Sequence, residues 1–413
     1  MAVIKPFLSI RPKEAVAHRV AALPYDVYTR KEATSEVLRE PLSFLKVDRA
    51  ETGLPDEVDT YDSRVYDRAK ILLQEMMDDG TYLTEDKASY YVYELIMGGR
   101  SQTGLVGCAS IDDYLNGVIK KHENTREEKE IDRIKHVDIL DAQTGPIFLA
   151  YRTEERISRI INAVKRDQPI YSFVAVDGVA HNVWRISRDE NITEIKEAFE
   201  KIDSIYIADG HHRAASAVKV GLKRRKDNPN YTGIEEYNYF LSVLFPNDQL
   251  MILPYNRTVK DLNGLKEKEF LKRVGESFEV SLLGSDPYIP EEKAVFGMYL
   301  SGNWYKLRAK DNIKNQEHLV AALDVSILQN YLLSPILGIE DPRTDKRIGF
   351  VGGIRGLGAL EKRVNEDMKV AFSMYPTSIN ELFEVSDAGM LMPPKSTWFE
   401  PKLRSGLFIH KLS

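Results

Sequence analysis

The chain has 413 residues, of which 43% are hydrophobic and 29% charged, a balance that predicts two or three globular domains and excludes a disordered chain. Its formal net charge of -6 excludes a chain-wide basic surface for wrapping DNA or RNA, while a local basic pocket for a small anion stays compatible with it. The single cysteine, Cys108, excludes an intramolecular disulfide.

Three features of the sequence predict the cellular compartment. The low cysteine content fits a reducing environment. No stretch approaches the ~20 apolar residues of a membrane helix, and the first residues lack the long apolar region of a signal peptide. We therefore expect a cytoplasmic protein with no membrane partner.

Short strands alternate with amphipathic helices through residue 255. The clearest helix covers residues 60–79, where apolar residues recur at helical spacing. Thr125 and Glu128 form a capping-box pattern that starts a helix ending near residue 140, with Ile131 and Ile134 facing inward. The other predicted elements are strands at residues 3–10, 90–97, 104–109, 171–176, 179–186, 205–208, 239–245 and 251–253, helices at residues 29–39, 154–166 and 211–219, and a solvated surface or loop at residues 223–229.

A domain boundary is predicted near Asn256, which gives domains 1–255 and 256–413. The second domain repeats the same alternation of elements. It is predicted to contain helices at residues 265–278 and 325–333, strands at 294–300 and 304–307, a glycine-rich turn and a final strand. The predicted fold class is therefore α/β, of the mixed α+β kind.

The segment Asp209-Gly210-His211-His212-Arg213 is the part of the sequence most indicative of chemistry. It follows the apolar strand 205–208, and Gly210 permits a sharp turn with positive φ. The helix that then begins would offer free backbone N–H groups and a positive dipole end to an anion. Arg213 adds a forked donor suited to phosphate oxygens. The alternative is a plain strand-to-helix turn with an aspartate cap and surface histidines.

The other histidines do not form a recognisable metal motif. They are scattered along the chain, and no cysteine–histidine spacing predicts a zinc site. The glycine-rich segment 349–356 lacks the spacing of a dinucleotide-binding turn. Residues 393–397 (PPKST) lack the glycine prefix of a Walker motif, and an ordinary proline loop stays an alternative there.

Several short segments together resemble a known family over essentially the whole chain. This is the bacterial and archaeal family called domain of unknown function 1015, in the ParB/sulfiredoxin-like superfamily. The segments that carry the resemblance are 23–27 (LPYDV), 122–125 (HENT), 207–213 (IADGHHR), 350–353 (FVGG), 392–399 (MPPKSTWF) and 401–403 (PKL). The resemblance implies a ParB/sulfiredoxin-like nucleotide-binding core with an additional C-terminal α/β region.

Three branches of that superfamily differ at the Asp-Gly-His-His-Arg segment. Sulfiredoxins place a nucleophilic cysteine where this chain has His211, so their chemistry is not expected here. ParB proteins bind CTP through a Gly-Glu-Arg-Arg type of box and clamp DNA, which the acidic chain does not favour. The archaeal free serine kinases carry the same five residues, and an early Pro-x-Glu step of theirs is similar to Pro12-Lys13-Glu14.

The resemblance implies a nucleotide-dependent phosphotransferase that acts on a small hydroxylated metabolite, with ATP or ADP and Mg²⁺. The implied site residues are, for the nucleotide, Gly210, His211, His212, Arg213, Lys395, Ser396 and Thr397; for catalysis, Asp209, His212, Glu14, Asp26 and Glu123; for the substrate, Tyr25, His122 and Lys402; and for the metal, Asp209. For three of these residues, an alternative without any functional role stays open. Glu14 would be a solvated carboxylate, Asp26 part of an Asx-type turn, and His122 a residue outside the helix with no ligand.

A second hypothesis belongs to a different class of function. The chain would be a nucleotide-binding switch of the ParB type, without metabolite kinase activity. A basic face hidden by the overall charge, or a nucleotide-dependent homodimer, would favour it. Nucleic acid is not an expected partner under the first hypothesis.

Overall fold

The computed structural model describes residues 1–413. The chain forms two compact units. One unit is Met1–Leu250 together with Pro401–Ser413, and the other is Met251–Glu400. The break after Leu250 lies near the predicted boundary, but residues 401–413 belong to the first unit instead of closing the second domain as predicted. The cause is a strand at Ile409–Lys411, which pairs with strands of the first unit and buries Ile409 completely.

Both units mix helices and strands, so the predicted mixed α/β class is confirmed. The strands are β1 (Ile4–Lys5), β2 (Ser9–Pro12), β3 (Tyr82–Thr84), β4 (Tyr90–Met97), β5 (Arg100–Ser110), β6 (Ile119–Lys120), β7 (Ala142–Gln143), β8 (Ile147–Tyr151), β9 (Tyr171–Val174), β10 (Ala180–Ile186), β11 (Ile205–Asp209), β12 (Tyr239–Pro246), β13 (Met251–Leu253), β14 (Tyr255–Val259), β15 (Phe278–Gly284), β16 (Val295–Leu300), β17 (Asn303–Ala309), β18 (Ile348–Gly352), β19 (Val370–Ser373), β20 (Trp398–Glu400) and β21 (Ile409–Lys411). The helices are α1 (Ala17–Val20), α2 (Arg30–Arg39), α3 (Leu45–Asp48), α4 (Ser63–Asp78), α5 (Ile111–Leu115), α6 (Glu127–Leu140), α7 (Glu155–Val164), α8 (Asp189–Phe199), α9 (His211–Asp227), α10 (Glu267–Ser277), α11 (Asp311–Lys314), α12 (Asp324–Leu328), α13 (Gly358–Glu366) and α14 (Ile379–Asp387). No helix is both long enough and apolar enough to cross a membrane.

A nine-stranded sheet forms the centre of the first unit. Its order is β6-β11-β8-β12-β5-β4-β10-β9, with β1 paired to β5. The strands predicted at residues 90–97 and 104–109 form a hairpin, since β4 pairs with β5 around Gly98 and Gly99, whose φ values of 57° and 79° suit a tight hairpin turn. Helix α7 buries Ile157, Ile160 and Ile161 in the core of this sheet, at the spacing of one helix face. The parallel pair β6–β11 matters most for the site, because both strands then end at the same edge.

A second, four-stranded sheet of the same unit has the order β3-β2-β21-β7. Strand β21 comes from the C-terminal segment and lies between β2 and β7. Its neighbours Leu407, Phe408 and Leu412 are also buried, so burial of apolar surface holds this segment in the first unit.

Helix α6 differs from the sequence expectation in two respects. Arg126 is its N-cap, and the Thr125 hydroxyl donates to Glu130 at 2.7 Å, so the predicted capping box with Glu128 is wrong. Ile131 is 46% exposed, while Arg133 is among the charged side chains that the helix buries. The helix thus turns a polar face into the protein, which a hydrophobic period cannot reveal.

Helix α9 packs closely through small residues. It buries Ala214, Ala215 and Ala217, and Gly221 lies so close to the Tyr237 carbonyl oxygen that a Cβ would come within 2.5 Å of it. The helix runs to Asp227, so part of the stretch predicted as solvated surface or loop is its last turn. Its basic side chains are mostly neutralised by ion pairs, which are Lys219–Glu130, Lys223–Asp138, Arg224–Asp138, Arg224–Asp141 and Arg225–Asp112.

The second unit is built on a six-stranded sheet with the order β15-β17-β16-β19-β14-β18, and a separate pair joins β13 and β20. The predicted helix at 325–333 is a short α-helix, α12, followed by a π-helical turn at Gln329–Leu333. Helices α13 and α14 were not predicted, and α8 of the first unit was missed as well. Their sequences show only short apolar periods among charged residues.

Candidate functional site

The DGHHR turn, defined as Asp209–Arg213, joins the end of β11 to the start of α9. The predicted strand, turn and helix are all observed there. Gly210 has φ 93° and ψ 31°, a left-handed conformation that glycine adopts without strain. Because no side chain caps α9, its first backbone N–H groups are left to a ligand or to water, at the positive end of the helix dipole.

The sheet brings other predicted residues to the same edge. Strands β6 and β11 run parallel, so His122, just after β6, emerges beside the DGHHR turn. Strand β8 runs antiparallel to β11, so the residues before β8 reach that edge too. Arg213 accordingly donates from Nη1 to the carbonyl oxygen of Pro146 at 2.6 Å.

Asp209 and Lys402 form the ion pair of the turn. Lys402 Nζ donates to Asp209 Oδ2 at 3.2 Å, and the Gly210 N–H donates to Asp209 Oδ1 at 2.9 Å. Burial acts to raise the pKa of Asp209, but Lys402 and Arg213 outweigh it and hold this pKa well below the usual value. The Asp209 side chain is still 37% exposed, so an ionised carboxylate paired with Lys402 remains accessible at the turn.

Arg213 also borders a small cavity in the first unit. The cavity has a volume of about 40 Å³, which holds a few waters and not a nucleotide. Tyr25 lines it, with the Arg133 guanidinium 4.0 Å from the centre of its ring. Burial raises the pKa of Tyr25 to about 12, against the opposing effect of Arg133. The predicted substrate residue Tyr25 therefore lies near Arg213, where it stays a neutral phenol.

Arg133 and Asp48 are polar residues of this cavity that the sequence analysis missed. Arg133 is 8% exposed and pairs with Asp132 at 2.8 Å. Asp48 is 6% exposed, and burial raises its pKa. The available signal was the run of charged residues at 130, 132 and 133 inside a predicted helix, which marks a polar buried face only once the neighbours of the helix are known.

His122, Glu123 and His211 form a compact cluster at the edge of the DGHHR turn. One ligand atom from each of the three lies within 4.8 Å of the others. The two imidazole rings meet edge to face with centroids 4.5 Å apart. Burial lowers the pKa of His122 to about 4 and that of His211 well below its usual value, so both rings are neutral at pH 7.

His212 contacts the N-cap residue of α6. It is partly buried, and its Nε2 accepts a hydrogen bond from the Arg126 N–H at 2.9 Å. Burial lowers the pKa of His212, while the negative charge of Asp26 opposes that effect. The two predicted catalytic residues His212 and Asp26 are thus electrostatic neighbours, although the structure shows no direct bond between them.

Glu14 and Lys395, two residues predicted for the site, have neighbours outside the DGHHR turn. Glu14 is exposed in a short 3-10 helix at Glu14–Val16, and its charge acts on Tyr171. In the second unit, Lys395 is exposed with φ 60°, and its Nζ lies 5.4 Å from the centre of the Tyr255 ring.

The hydroxyl of Ser396 donates to the Pro393 carbonyl at 2.6 Å and so closes its own loop, and Thr397 follows half-buried. The assignment of Lys395, Ser396 and Thr397 to a nucleotide site stays a prediction, as does the role of Glu14.

A family model described as "Protein of unknown function (DUF1015)" matches residues 4–326 of this chain. No curated protein matched the sequence.

Three solved structures illustrate the similarity at the level of structure. A free serine kinase in complex with AMP is 15% identical, with 76% of this chain and 92% of that chain covered and a TM-score of 0.35. A conserved hypothetical protein from Pyrococcus furiosus is 14% identical over 76% of this chain and 94% of its own, with a TM-score of 0.35. SbnI from Staphylococcus aureus with a C-terminal truncation is 10% identical over 72% and 85%, with a TM-score of 0.38. These scores are too low to locate a site or assign an activity.

Proposed function

This chain belongs to the DUF1015 family, and we propose that it is a nucleotide-dependent phosphotransferase acting on a small hydroxylated metabolite. The observation that carries the proposal is the DGHHR turn: an uncapped helix N-terminus and a partly exposed Asp209 that pairs with Lys402 and is also under the electrostatic influence of Arg213. ATP or ADP is the proposed donor, with Mg²⁺.

The phosphates would be held by the first turn of α9. Its N–H groups and dipole favour negative charge. Arg213 offers the planar fork that suits phosphate oxygens, and one of its donors is already anchored on Pro146, which limits its freedom before binding. Lys402 supplies a second cation, fixed in place by Asp209. Gly210 leaves room for the Arg213 guanidinium, because a Cβ built there would lie 3.1 Å from its Nε.

The acceptor hydroxyl would be oriented by a carboxylate. Phosphoryl transfer depends more on positioning and charge neutralisation than on covalent chemistry. Asp209 suits the role because its low pKa keeps it ionised, so it accepts a hydrogen bond from a hydroxyl without itself carrying a proton. Asp26, beside His212, and Glu123 are further proposed carboxylates for this step, and Tyr25 and His122 are proposed substrate contacts.

Asp209 is also the proposed ligand of Mg²⁺, which prefers carboxylate oxygens and keeps several waters. Its two oxygens already accept from Lys402 and from the Gly210 N–H. Each carboxylate oxygen has a further lone pair, and the exposed fraction of 37% leaves room for a water-bridged ion.

The decisive experiment is a direct assay of transfer. The purified protein is incubated with ATP or ADP, Mg²⁺ and a panel of hydroxylated metabolites, serine first, and phosphorylated products are detected by mass spectrometry. Arg213→Ala should lower kcat/KM by about 10- to 100-fold, because a charge-assisted hydrogen bond contributes about 1.5–3 kcal/mol. Lys226→Ala, an exposed cation on the last turn of the same helix, is the matched control and should change little. Absence of turnover with every donor would refute the proposal.

The switch hypothesis makes a different prediction for the surface of α9. Four of the five basic residues from Lys219 to Lys226 pair with carboxylates, so this helix does not present the bare basic face that DNA binding would need. The kinase proposal is therefore preferred. A thermal-shift screen with ATP, ADP, CTP and GTP separates the two hypotheses. A strict preference for CTP, together with DNA binding in a separate assay, would replace the kinase proposal by the switch hypothesis.

A further inference from the structure

The cluster of His122, Glu123 and His211 contains two buried polar atoms that have no hydrogen-bond partner. His122 is 2% exposed and His211 is 7% exposed. His122 Nδ1 and His211 Nε2 are both buried and have no hydrogen-bond partner. A buried nitrogen without a partner is unfavourable, and here two such nitrogens belong to touching rings.

We propose that His122, Glu123 and His211 bind a divalent transition-metal ion, with Zn²⁺ as the preferred species. Two imidazole nitrogens and one carboxylate oxygen are a ligand set that Zn²⁺ uses when one position stays open. Neither Mg²⁺ nor Ca²⁺ selects imidazole ligands, so this site is distinct in chemistry from the magnesium ligand proposed at Asp209.

The orientation of His122 supports the proposal independently of the cluster. This imidazole makes a hydrogen bond to the backbone of Ile207, as a ring N–H does when it donates to a carbonyl. Since Nδ1 has no partner, the donating atom is Nε2, and Nδ1 carries the lone pair. A metal-binding histidine is usually oriented in this way, by a hydrogen bond from the nitrogen opposite the metal.

The spacing of the three ligand atoms fits a metal ion after a modest closure. They lie within 4.8 Å of one another. Ligand atoms about 2.0–2.1 Å from a tetrahedral Zn²⁺ are roughly 3.3 Å apart. Glu123 lies in the segment between β6 and α6, outside any helix or strand, and the two histidines are held by their burial, so the closure would be a shift of the Glu123 side chain towards them.

The site would share one residue with the DGHHR turn. His211 is the first residue of α9, and its side chain would bind the ion while its backbone N–H stays available to a phosphate. The inference does not depend on phosphotransferase activity, because metal binding is measured without any nucleotide.

Metal binding is tested on the full-length protein after removal of bound metals with EDTA. Zn²⁺ is titrated in competition with a chromogenic chelator, and Co²⁺ is added separately to record the visible bands of a low-coordinate site. One equivalent of Zn²⁺ should bind. Glu123→Gln and His122→Gln should each raise the Kd for Zn²⁺ by more than about tenfold, since even loss of an outer partner costs 10–100-fold. Circular dichroism checks that each variant is folded.

Two exposed residues provide matched controls. His18→Gln removes a surface histidine, and Glu128→Gln removes a carboxylate from the first turn of α6, outside the cluster. Neither should change the Kd for Zn²⁺ by more than about twofold. The proposal is overturned by the absence of saturable binding at one equivalent, or by binding that a folded Glu123→Gln and a folded His122→Gln both retain. If the wild-type protein binds Zn²⁺ but shows no kinase activity, that result counts against the proposed function alone.

Discussion

Replacement of Gly210 by alanine tests whether the conformation of the DGHHR turn is what positions Arg213. Gly210 has φ 93°, and a Cβ built there lies 3.1 Å from both Nε and Nη2 of Arg213. Gly99 is a matched control in the β4–β5 hairpin, with φ 79° and no atom within 4 Å of its added Cβ. The two variants share the backbone strain, but only Gly210→Ala crowds a guanidinium.

The expected magnitudes follow from these two differences. A non-glycine residue in the left-handed region costs about 1–2 kcal/mol of unfolding free energy, so both variants should lose that amount. At Gly210 the guanidinium must also move, which disturbs its 2.6 Å hydrogen bond to Pro146. That bond, made by a charged donor, adds about 1.5–3 kcal/mol if it is lost entirely.

The assay combines urea unfolding, followed by circular dichroism, with the thermal shift produced by ADP and Mg²⁺. A ligand present at 100 times its Kd stabilises the native state by about 2.7 kcal/mol. We expect Gly99→Ala to keep the full nucleotide-induced shift and Gly210→Ala to lose most of it. Equal stability losses with equal nucleotide shifts would refute the argument that Gly210 keeps Arg213 in place, and wild-type stability of Gly210→Ala would refute the assigned backbone strain.

Three further predictions concern charges and burial elsewhere. Lys402→Met removes the cation beside Asp209, whose depressed pKa stabilises the fold above the unfolded value near 4. This stability is lost only as pH falls below about 4 and through the much lower folded pKa, so the variant should be less stable than the wild type at pH 7, and most of that difference should persist at pH 3 in urea unfolding. Burial raises the pKa of Asp324 to about 7, so the free energy of unfolding should fall by up to about 4 kcal/mol as pH rises from 4 to 7. Asp324→Asn should remove that fall, and a variant with the same pH profile as the wild type would contradict the prediction. Cys108 is fully buried in β5, and burial raises the pKa of its thiol, so a thiol reagent should label it only at the rate of unfolding; rapid labelling of the native protein would show that β5 opens locally.

The elements that the sequence predicts well are those with a strong local pattern. The hairpin around Gly98 and Gly99 and the helix α4 carry turn residues and an apolar period within a few residues of one another. The cluster of His122, Glu123 and His211 lacks such a signal. His122 follows β6, a strand of only two residues, and nothing in the spacing of His122 and His211 along the chain brings them together.

The sequence also could not predict which charged residues of a helix would be buried. Helix α6 exposes Ile131 and buries Arg133, contrary to the expectation from hydrophobicity, because its inner face meets the cavity beside Tyr25 that Asp48 also lines. Local propensity decides that a helix forms, while its surroundings decide which face turns inward.

The sequence by itself predicted the DGHHR turn: an apolar strand at residues 205–208, a glycine suited to positive φ and the start of a helix at His211. Only the tertiary structure decided its partners. Asp209 pairs with Lys402, 193 positions away, because β21 returns the C-terminal segment to the first unit. His122 meets His211 because β6 lies parallel to β11. Such contacts depend on strand order, which is set by the burial of whole sheets and leaves no mark on the local sequence.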